Sequence, residues 1–201
     1  MGALPGPRGG RLRNIRGLVL AGGKSSRFGE DKAQVFYKGM TFLERAVSLL
    51  NGLRLKPVVV TRHGKDYPMI GCPVIHDRFP GKGPLGGIYT AMDVFKETAF
   101  LVLTCDMPDL TGVVLSDLLK EHRPEFSATV YRIGTQLQPF PGIYEPSLLV
   151  SIRAYLKEEK LAMRDLLDLA PAKQTIIPRC PREVFNNINY KRELSIQIYT
   201  S

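Results

Sequence analysis

One carboxylate stands apart in this chain. Phe100-Leu101-Val102-Leu103-Thr104 is apolar enough to be a strand buried on both faces, and Cys105-Asp106-Met107-Pro108 ends it with a single acid. An aspartate where a buried strand surfaces is placed to hold Mg²⁺ against the phosphates of a nucleotide. Mg²⁺ takes one or two protein carboxylates and completes its octahedron with phosphate oxygens and water. The local alternative is that Asp106 shapes its turn, but Asp109 and Thr111 stand nearer the next helix and suit capping better. Asp77, after Val74-Ile75-His76, is a second acid of the same kind.

The stretch LVLAGGKSSRFGEDKA, residues 18–33, supplies the opposite charge. No G-x-x-x-x-G-K-[ST] or G-x-G-x-x-G can be laid over it. Ala21-Gly22-Gly23 after a strand removes side chains where backbone N–H groups could approach an anion. Arg27 can grip two phosphate oxygens, and Lys32 acts as a mobile point charge. Lys24 is read as facing solvent. A second glycine stretch, Gly81-Lys82-Gly83-Pro84-Leu85-Gly86, does match G-x-G-x-x-G. It follows the third strand rather than the first, so a dinucleotide fingerprint is not its meaning. A loop that packs against a flat base or a phosphate fits better.

Other chemistries lack their residues. His63, His76 and His122 make no metal-ligand pair, and no nucleophilic triad suggests itself. Cys72, Cys105 and Cys180 are odd in number and widely spaced, which argues against a disulfide framework or zinc site and fits a reducing, cytoplasmic setting. The net charge of +9 favours anionic partners, although Arg8, Arg11, Arg13 and Arg16 supply much of it. No interleaved aromatics or helix-turn-helix spacing points to nucleic acid. No apolar run is long enough for a bilayer, and the Gly-, Pro- and Arg-rich start has no apolar core of a secretory signal.

These residues must be positioned by the elements around them. Of the 201 residues, 1–13 read as a flexible basic tail and 14–201 as one domain. Strands are expected at 15–21, 57–61, 72–76, 100–104 and 128–132. Helices are expected from Thr41-Phe42-Leu43-Glu44, a capping box, to about Leu50, and at 85–95, 111–121, about 146–157 and 163–169. Short extended pieces follow near 175–177 and 183–185, and a last helix from Tyr190. Alternating strands and helices imply an α/β fold: a three-layer, Rossmann-like, mostly parallel (mixed) open sheet with helices on both faces. Ligands of such sheets sit at the carboxyl ends of strands, near a switch in strand order. Chemistry is therefore expected at 21–32, 61–63, 77–87 and 105–108.

Taken together, the turns resemble a known family. Leu20-Ala21-Gly22-Gly23, Ser25, Arg27, Gly29 and Asp31-Lys32-Ala33 are similar to the L-A-G-G-x-S-x-R-M-G-x-D-K signature of molybdenum cofactor guanylyltransferases and related nucleotidyltransferases. Asp77 followed by Gly83-Pro84-Leu85-Gly86-Gly87 resembles that family's D…G-P-L-x-G block. Cys105-Asp106-Met107-Pro108-x-Leu110 resembles its C-D-x-P-x-L block, and Phe185-Asn186-Asn187-Ile188-Asn189 its F-x-N-I-N element. Phe28 replaces the signature Met, Thr61 stands in a turn that usually carries Asn, and Tyr190-Lys191-Arg192 replaces T-P-E.

The resemblance implies transfer of GMP from GTP to the terminal phosphate of molybdenum-loaded molybdopterin, with Mg²⁺ as cofactor. By position, Leu20, Ala21, Gly22 and Gly23 would bind the nucleotide, Lys32 its phosphates, Asp77 the nucleoside side, and Asp106 both GTP and metal. Asp106, Lys32 and Arg27 would be catalytic, and Asn187 and Asn189 would hold the pterin. Residues 14–122 would form the nucleotide part and 123–201 the acceptor part. Transient contact with cofactor-biosynthesis proteins or apo-molybdoenzymes is a further implied partnership. Transfer of CMP, a sugar-phosphate acceptor, and a non-catalytic cofactor-binding adaptor stay open. Cys105 before Asp106 favours the guanylyl branch, since cytidylyl relatives tend to have D-Q-P.

Overall fold

Apolar residues on successive positions of a strand point to opposite sides of a sheet, so an unbroken apolar strand needs cover on both faces. The central strand obeys this. In the computed structural model, which describes residues 15–22, 31–96, 98–170, 173–188 and 190, Leu101 and Leu103 enter one core and Phe100 and Val102 the other.

The elements run β1 (Ile15–Leu20), β2 (Phe36–Tyr37), β3 (Met40–Thr41), α1 (Phe42–Gly52), β4 (Val58–Thr61), β5 (Val74–His76), α2 (Gly83–Val94), β6 (Ala99–Thr104), α3 (Gly112–Glu121), β7 (Ala128–Ile133), β8 (Gln136–Tyr144), α4 (Leu149–Lys157), α5 (Met163–Leu169) and β9 (Lys173–Ile176). Seven strands form one sheet in the order β5-β4-β1-β6-β8-β7-β9, while β2 and β3 pair as a separate hairpin. All neighbours are parallel except at β8, which runs against both β6 and β7. The expected mixed, mostly parallel sheet is the one found.

Helices α1 and α3 cover one face through Phe42, Leu43, Val47 and Leu50, and through Val114, Leu115 and Leu118. Helices α2, α4 and α5 cover the other through Leu85, Ile88, Met92, Ile152, Leu166 and Leu167. The expected capping box opens α1: Glu44 N donates to Thr41 Oγ1 at 3.2 Å, and Thr41 N donates to Glu44 Oε2 at 2.7 Å. The bond from Thr41 N, with one from the Thr41 hydroxyl to the same oxygen at 2.8 Å, holds the Glu44 carboxyl below the usual carboxylate range.

Three local expectations need correction or lie elsewhere. Residues 182–185 form a 3-10 turn rather than an extended piece. The hairpin β2–β3 and the long strand β8 were not anticipated. The basic tail and almost all of the last helix fall outside the described residues.

The topology also fixes where a ligand can sit. From β1 the chain moves outward to β4 and β5, then returns across to β6 on the other side of β1. That reversal opens a crevice at the carboxyl ends of β1 and β6. Leu20 and Thr104, the last residues of the two strands, are register partners. Ala21-Gly22 and Cys105-Asp106 therefore leave the sheet side by side.

Candidate active site

A lysine and an aspartate meet across this crevice. Lys32 begins the 3-10 turn Lys32–Gln34, and its Nζ lies 3.1 Å from Asp106 Oδ2. The two side chains are 16% and 21% exposed, so the pair is shielded from bulk water without being sealed from it. Asp106 Oδ1 is buried and has no hydrogen-bond partner among the described residues. An orphaned carboxylate oxygen in a buried setting is costly unless a ligand completes it. One free carboxylate oxygen beside a cation is a suitable donor set for Mg²⁺, which needs few protein ligands when phosphates supply the rest. No group of three or more His, Cys, Asp or Glu side chains able to hold a metal occurs among the described residues.

The turn bearing Asp106 is held from several directions. Tyr37 donates its hydroxyl to Asp109 Oδ1 at 3.1 Å, Lys38 Nζ lies 3.5 Å from the same oxygen, and Arg45 Nε donates to the Pro108 carbonyl at 3.1 Å. Asp109 is thus tied to the β2–β3 hairpin. Thr111 takes the N-cap position of α3 without a side-chain cap bond. Neither role falls to Asp106, whose carboxylate meets Lys32.

The first glycine turn is partly committed to the sheet. Ala21 N donates to the Val60 carbonyl at 2.8 Å, so that N–H is not offered to an anion. Gly22 is exposed, and a Cβ there would lie 3.5 Å from Arg62 N. Leu20 is half-buried beneath α2. Gly23 and Arg27 lie outside the described residues. Thr61, which stands where the turn usually carries Asn, is fully buried, so its side chain is not offered to a nucleotide; its carbonyl accepts from Asp77 N at 2.7 Å.

Asp77 sits at the end of β5 in the same row of strand ends. Its Oδ1 accepts from Phe79 N at 2.8 Å and from Thr90 Oγ1 at 3.3 Å. Burial pushes its carboxyl above the usual range, opposed by these two bonds. The glycines of the second block now have physical reasons. A Cβ on Gly86 would lie 2.8 Å from the Phe79 carbonyl and 3.1 Å from both Asp77 oxygens, and one on Gly87 would lie 2.7 Å from Leu20 Cδ2. This block lets α2 press against the Asp77 turn and the sheet. His63 and His76 stack nearby with ring centroids 5.1 Å apart, and His76 Nε2 faces Asp66 at 3.1 Å.

The C-terminal block arrives at the same place. Phe185 and Ile188 are buried, and Ile188 N donates to the Asp106 carbonyl at 2.8 Å. Asn187 lies between them and is exposed; Asn189 is outside the described residues. Lys32, Asp106 and the Asn187 segment are brought together, with Ala21-Gly22 and Asp77 along the same edge.

The family model of the MobA-like NTP transferase domain matches residues 17–175. The chain belongs to the MobA-like NTP transferase family. It is therefore a nucleotidyltransferase by descent. Its relatives include a protein of Flavobacterium johnsoniae named "Probable molybdenum cofactor guanylyltransferase", 31% identical over 92% of this chain and 96% of that one. A Bacillus cereus (strain B4264) protein of the same name is 34% identical over 90% and 94% of the two chains. The fold matches the crystal structure of molybdopterin-guanine dinucleotide biosynthesis protein A from Archaeoglobus fulgidus with a TM-score of 0.77, at 22% identity over 92% of this chain and 98% of that one. The MobA-like family is thus the one that the four motif blocks resembled. No described helix is long and apolar enough to cross a membrane.

Sequence reasoning passed over residues that pack around this edge. Asp31, visible in the signature without a role, accepts from Tyr67 and pairs with Lys65, and Tyr37 and Arg45 hold the turn after Asp106; Tyr67, Lys65, Tyr37 and Arg45 gave no signal at all. Only the position of Asp31, two residues before Ala33, hinted at a cap.

Proposed function

We propose that this chain transfers GMP from GTP to the terminal phosphate of molybdopterin and releases pyrophosphate. The observation that carries the reading is the apposition of Lys32 and Asp106 at the β1/β6 crevice, with Asp106 Oδ1 buried and unpartnered among the described residues. It is joined by the names and the identity of the relatives described above.

The chemistry asks little covalent work of the protein. A phosphate monoester is largely dianionic near pH 7, with a second pKa of about 6. One of its oxygens attacks the α-phosphorus of GTP, and the bond from that phosphorus to the bridging oxygen of pyrophosphate breaks, taking the electron pair with it. No general base is needed. The difficulty is to hold two anions together and to stabilise charge that moves onto the leaving group.

Lys32 is suited to that leaving-group side, and Arg27 would add a second cation there. Mg²⁺ held by Asp106 would supply further positive charge on the phosphates. Leu20, Ala21, Gly22 and Gly23 would line the nucleotide, Gly22 giving close backbone approach. Asp77 would lie toward the nucleoside. Asn187 and Asn189 would face the pterin, placing acceptor binding in residues 123–201 and nucleotide binding in 14–122. The excess of basic residues would ease the approach of both anionic substrates. A cytoplasmic location and transient contact with apo-molybdoenzymes fit a product that is a cofactor.

The test is direct. Purified protein is incubated with Mg²⁺, molybdopterin and each of GTP, CTP, ATP and UTP, and pyrophosphate and dinucleotide are measured. GTP alone is expected to support both. Turnover with CTP only would overturn the guanylyl reading, and binding of nucleotide and pterin without turnover would favour an adaptor.

A further inference from the structure

Asp31 takes no part in the reaction as proposed, yet three donors converge on it. Its Oδ1 accepts from Ala33 N at 3.2 Å and so caps the turn that begins with Lys32. Its Oδ2 accepts from the Tyr67 hydroxyl at 3.1 Å and lies 3.0 Å from Lys65 Nζ. Tyr67 and Lys65 belong to the segment after β4, folded back by Lys65 N donating to the Arg62 carbonyl and Ile70 N to the Tyr67 carbonyl.

The geometry ties the two ends of the site to different strands. Asp106 leaves β6, on one side of β1. The Tyr67 segment leaves β4, on the other side. Lys32 spans between them: its ammonium reaches Asp106, and its turn is capped by a residue that Tyr67 and Lys65 hold. A lysine side chain has several rotatable bonds and reaches a fixed point only if its backbone is fixed. Ala33, 1% exposed, anchors the turn in the core, and Asp31 sets its start.

We propose that Tyr67 and Lys65 are positioning residues which, through Asp31, fix the Lys32 turn against Asp106 for nucleotidyl transfer. The role in transfer rests on the reading of Lys32 given above. Tyr67 is 5% exposed, and a phenol placed there only to fill the core would not need its hydroxyl. Burial pushes that phenol up to about 12, and the Asp31 charge adds to the shift, so it remains a donor at any working pH. Lys65, 35% exposed, supplies the charge partner on the open side.

The test uses Tyr67→Phe, which keeps the ring and removes only the donor, with Lys65→Met, Asp31→Ala and the Tyr67→Phe/Asp31→Ala pair. Amide hydrogen exchange at Ala33 reads the brace without any substrate. It is expected to quicken about tenfold in Tyr67→Phe, the scale of one hydrogen bond. In turnover assays, kcat is expected to fall about tenfold with KM for molybdopterin unchanged, since the acceptor is held elsewhere. Lys65→Met should shift both readouts in the same direction. The double variant should be no slower than Asp31→Ala alone, because both act through one carboxylate. Wild-type Ala33 exchange in Tyr67→Phe, or rate losses that add in full in the double variant, would overturn the proposal. A wild-type protein without turnover on any triphosphate would instead sink the transfer reading, while Ala33 exchange would still decide the brace.

Discussion

The backbone N–H of Ile188 donates to the carbonyl oxygen of Asp106 at 2.8 Å. One residue thus presents its carboxylate to Lys32 and its carbonyl to the C-terminal block, so the proposed nucleotide and acceptor sides meet at Asp106. The bond uses backbone atoms on both residues, and the side chain of Ile188 is free to serve the core, where it is 2% exposed.

That division predicts opposite phenotypes for adjacent residues. Ile188→Ala should cost about 2–4 kcal/mol of stability, as for other buried aliphatic truncations. Asn187→Ala, on the exposed side, should leave the unfolding midpoint in urea unchanged and raise KM for molybdopterin several-fold while KM for GTP stays put. Steady-state kinetics beside urea titrations separate the two.

Asp106→Asn keeps an oxygen for Lys32 but removes the charge that a divalent cation needs. Pyrophosphate release should fall at least about a hundredfold, the scale seen when one electrostatic stabiliser is lost. Circular dichroism spectra should match the wild type. Turnover within threefold of wild type would mean that the metal is held by other residues.

Much of this site was legible because its residues lie at strand ends, and the strands announce themselves by apolar runs. Asp106 and Asp77 were found that way, as was the Lys32 turn. Strand β8 was hidden by Pro139 and Pro141, which cannot donate to a ladder. The register explains how it exists: Gly142 pairs with Val130 and Gln138 with Tyr131, so residues 139–141 are looped out and the N–H groups that Pro139 and Pro141 lack are not required. Gly142 carries the bulge, since a Cβ there would lie 2.5 Å from the Pro139 carbonyl. Tyr67 and Lys65 were hidden for another reason. Their contact with Asp31 is made by the packing of distant loops, which leaves no local pattern.

The G-x-G-x-x-G match yields a sharper contrast. At Gly81, φ is +83° and nothing lies near a Cβ, whereas Gly86 faces the Phe79 carbonyl and both Asp77 oxygens. Gly81→Ala should cost about 1–2 kcal/mol from backbone strain alone, with KM for GTP unchanged. Gly86→Ala should cost about 1–3 kcal/mol by overpacking and also raise KM for GTP, because the Asp77 turn must shift. Equal KM values in the two variants would remove Asp77 from the nucleotide side.

Asp77 also has a signature in pH. Burial raises its carboxyl in the folded state, so its stabilising contribution is complete below the unfolded value and is lost as pH rises through the folded one. Asp77→Asn retains an acceptor for Phe79 N and Thr90 but has no charge to bury. Its stability relative to wild type should therefore grow as pH climbs from the ordinary carboxylate range through the raised value, then level off. Urea unfolding across that range measures the difference; a flat difference would mean that the carboxylate charge is fully compensated when folded.

A buried polar network ties the end of α3 to the far edge of the sheet. His122 Nε2 lies 3.0 Å from Glu145 Oε1, and the two side chains are 6% and 1% exposed. The other ring nitrogen meets Thr129 Oγ1 at 2.9 Å, and Thr129 donates in turn to Gln174 Oε1 at 3.3 Å, whose amide nitrogen donates to the Glu121 carbonyl at 2.8 Å. This chain of bonds joins the end of α3 to β7, β8 and β9, far from the Lys32–Asp106 crevice in sequence and role. Removing the ring takes a hydrogen-bond partner from both Glu145 and Thr129 inside a buried network. His122→Ala should destabilise the fold by about 1–3 kcal/mol. Glu145→Gln, which keeps an oxygen toward the ring, should cost less. Folded His122→Ala protein, assayed well below its melting temperature, should retain near-wild-type kcat. A large loss of kcat there would show that the buried pair sets the geometry of the site and not only the stability of the sheet.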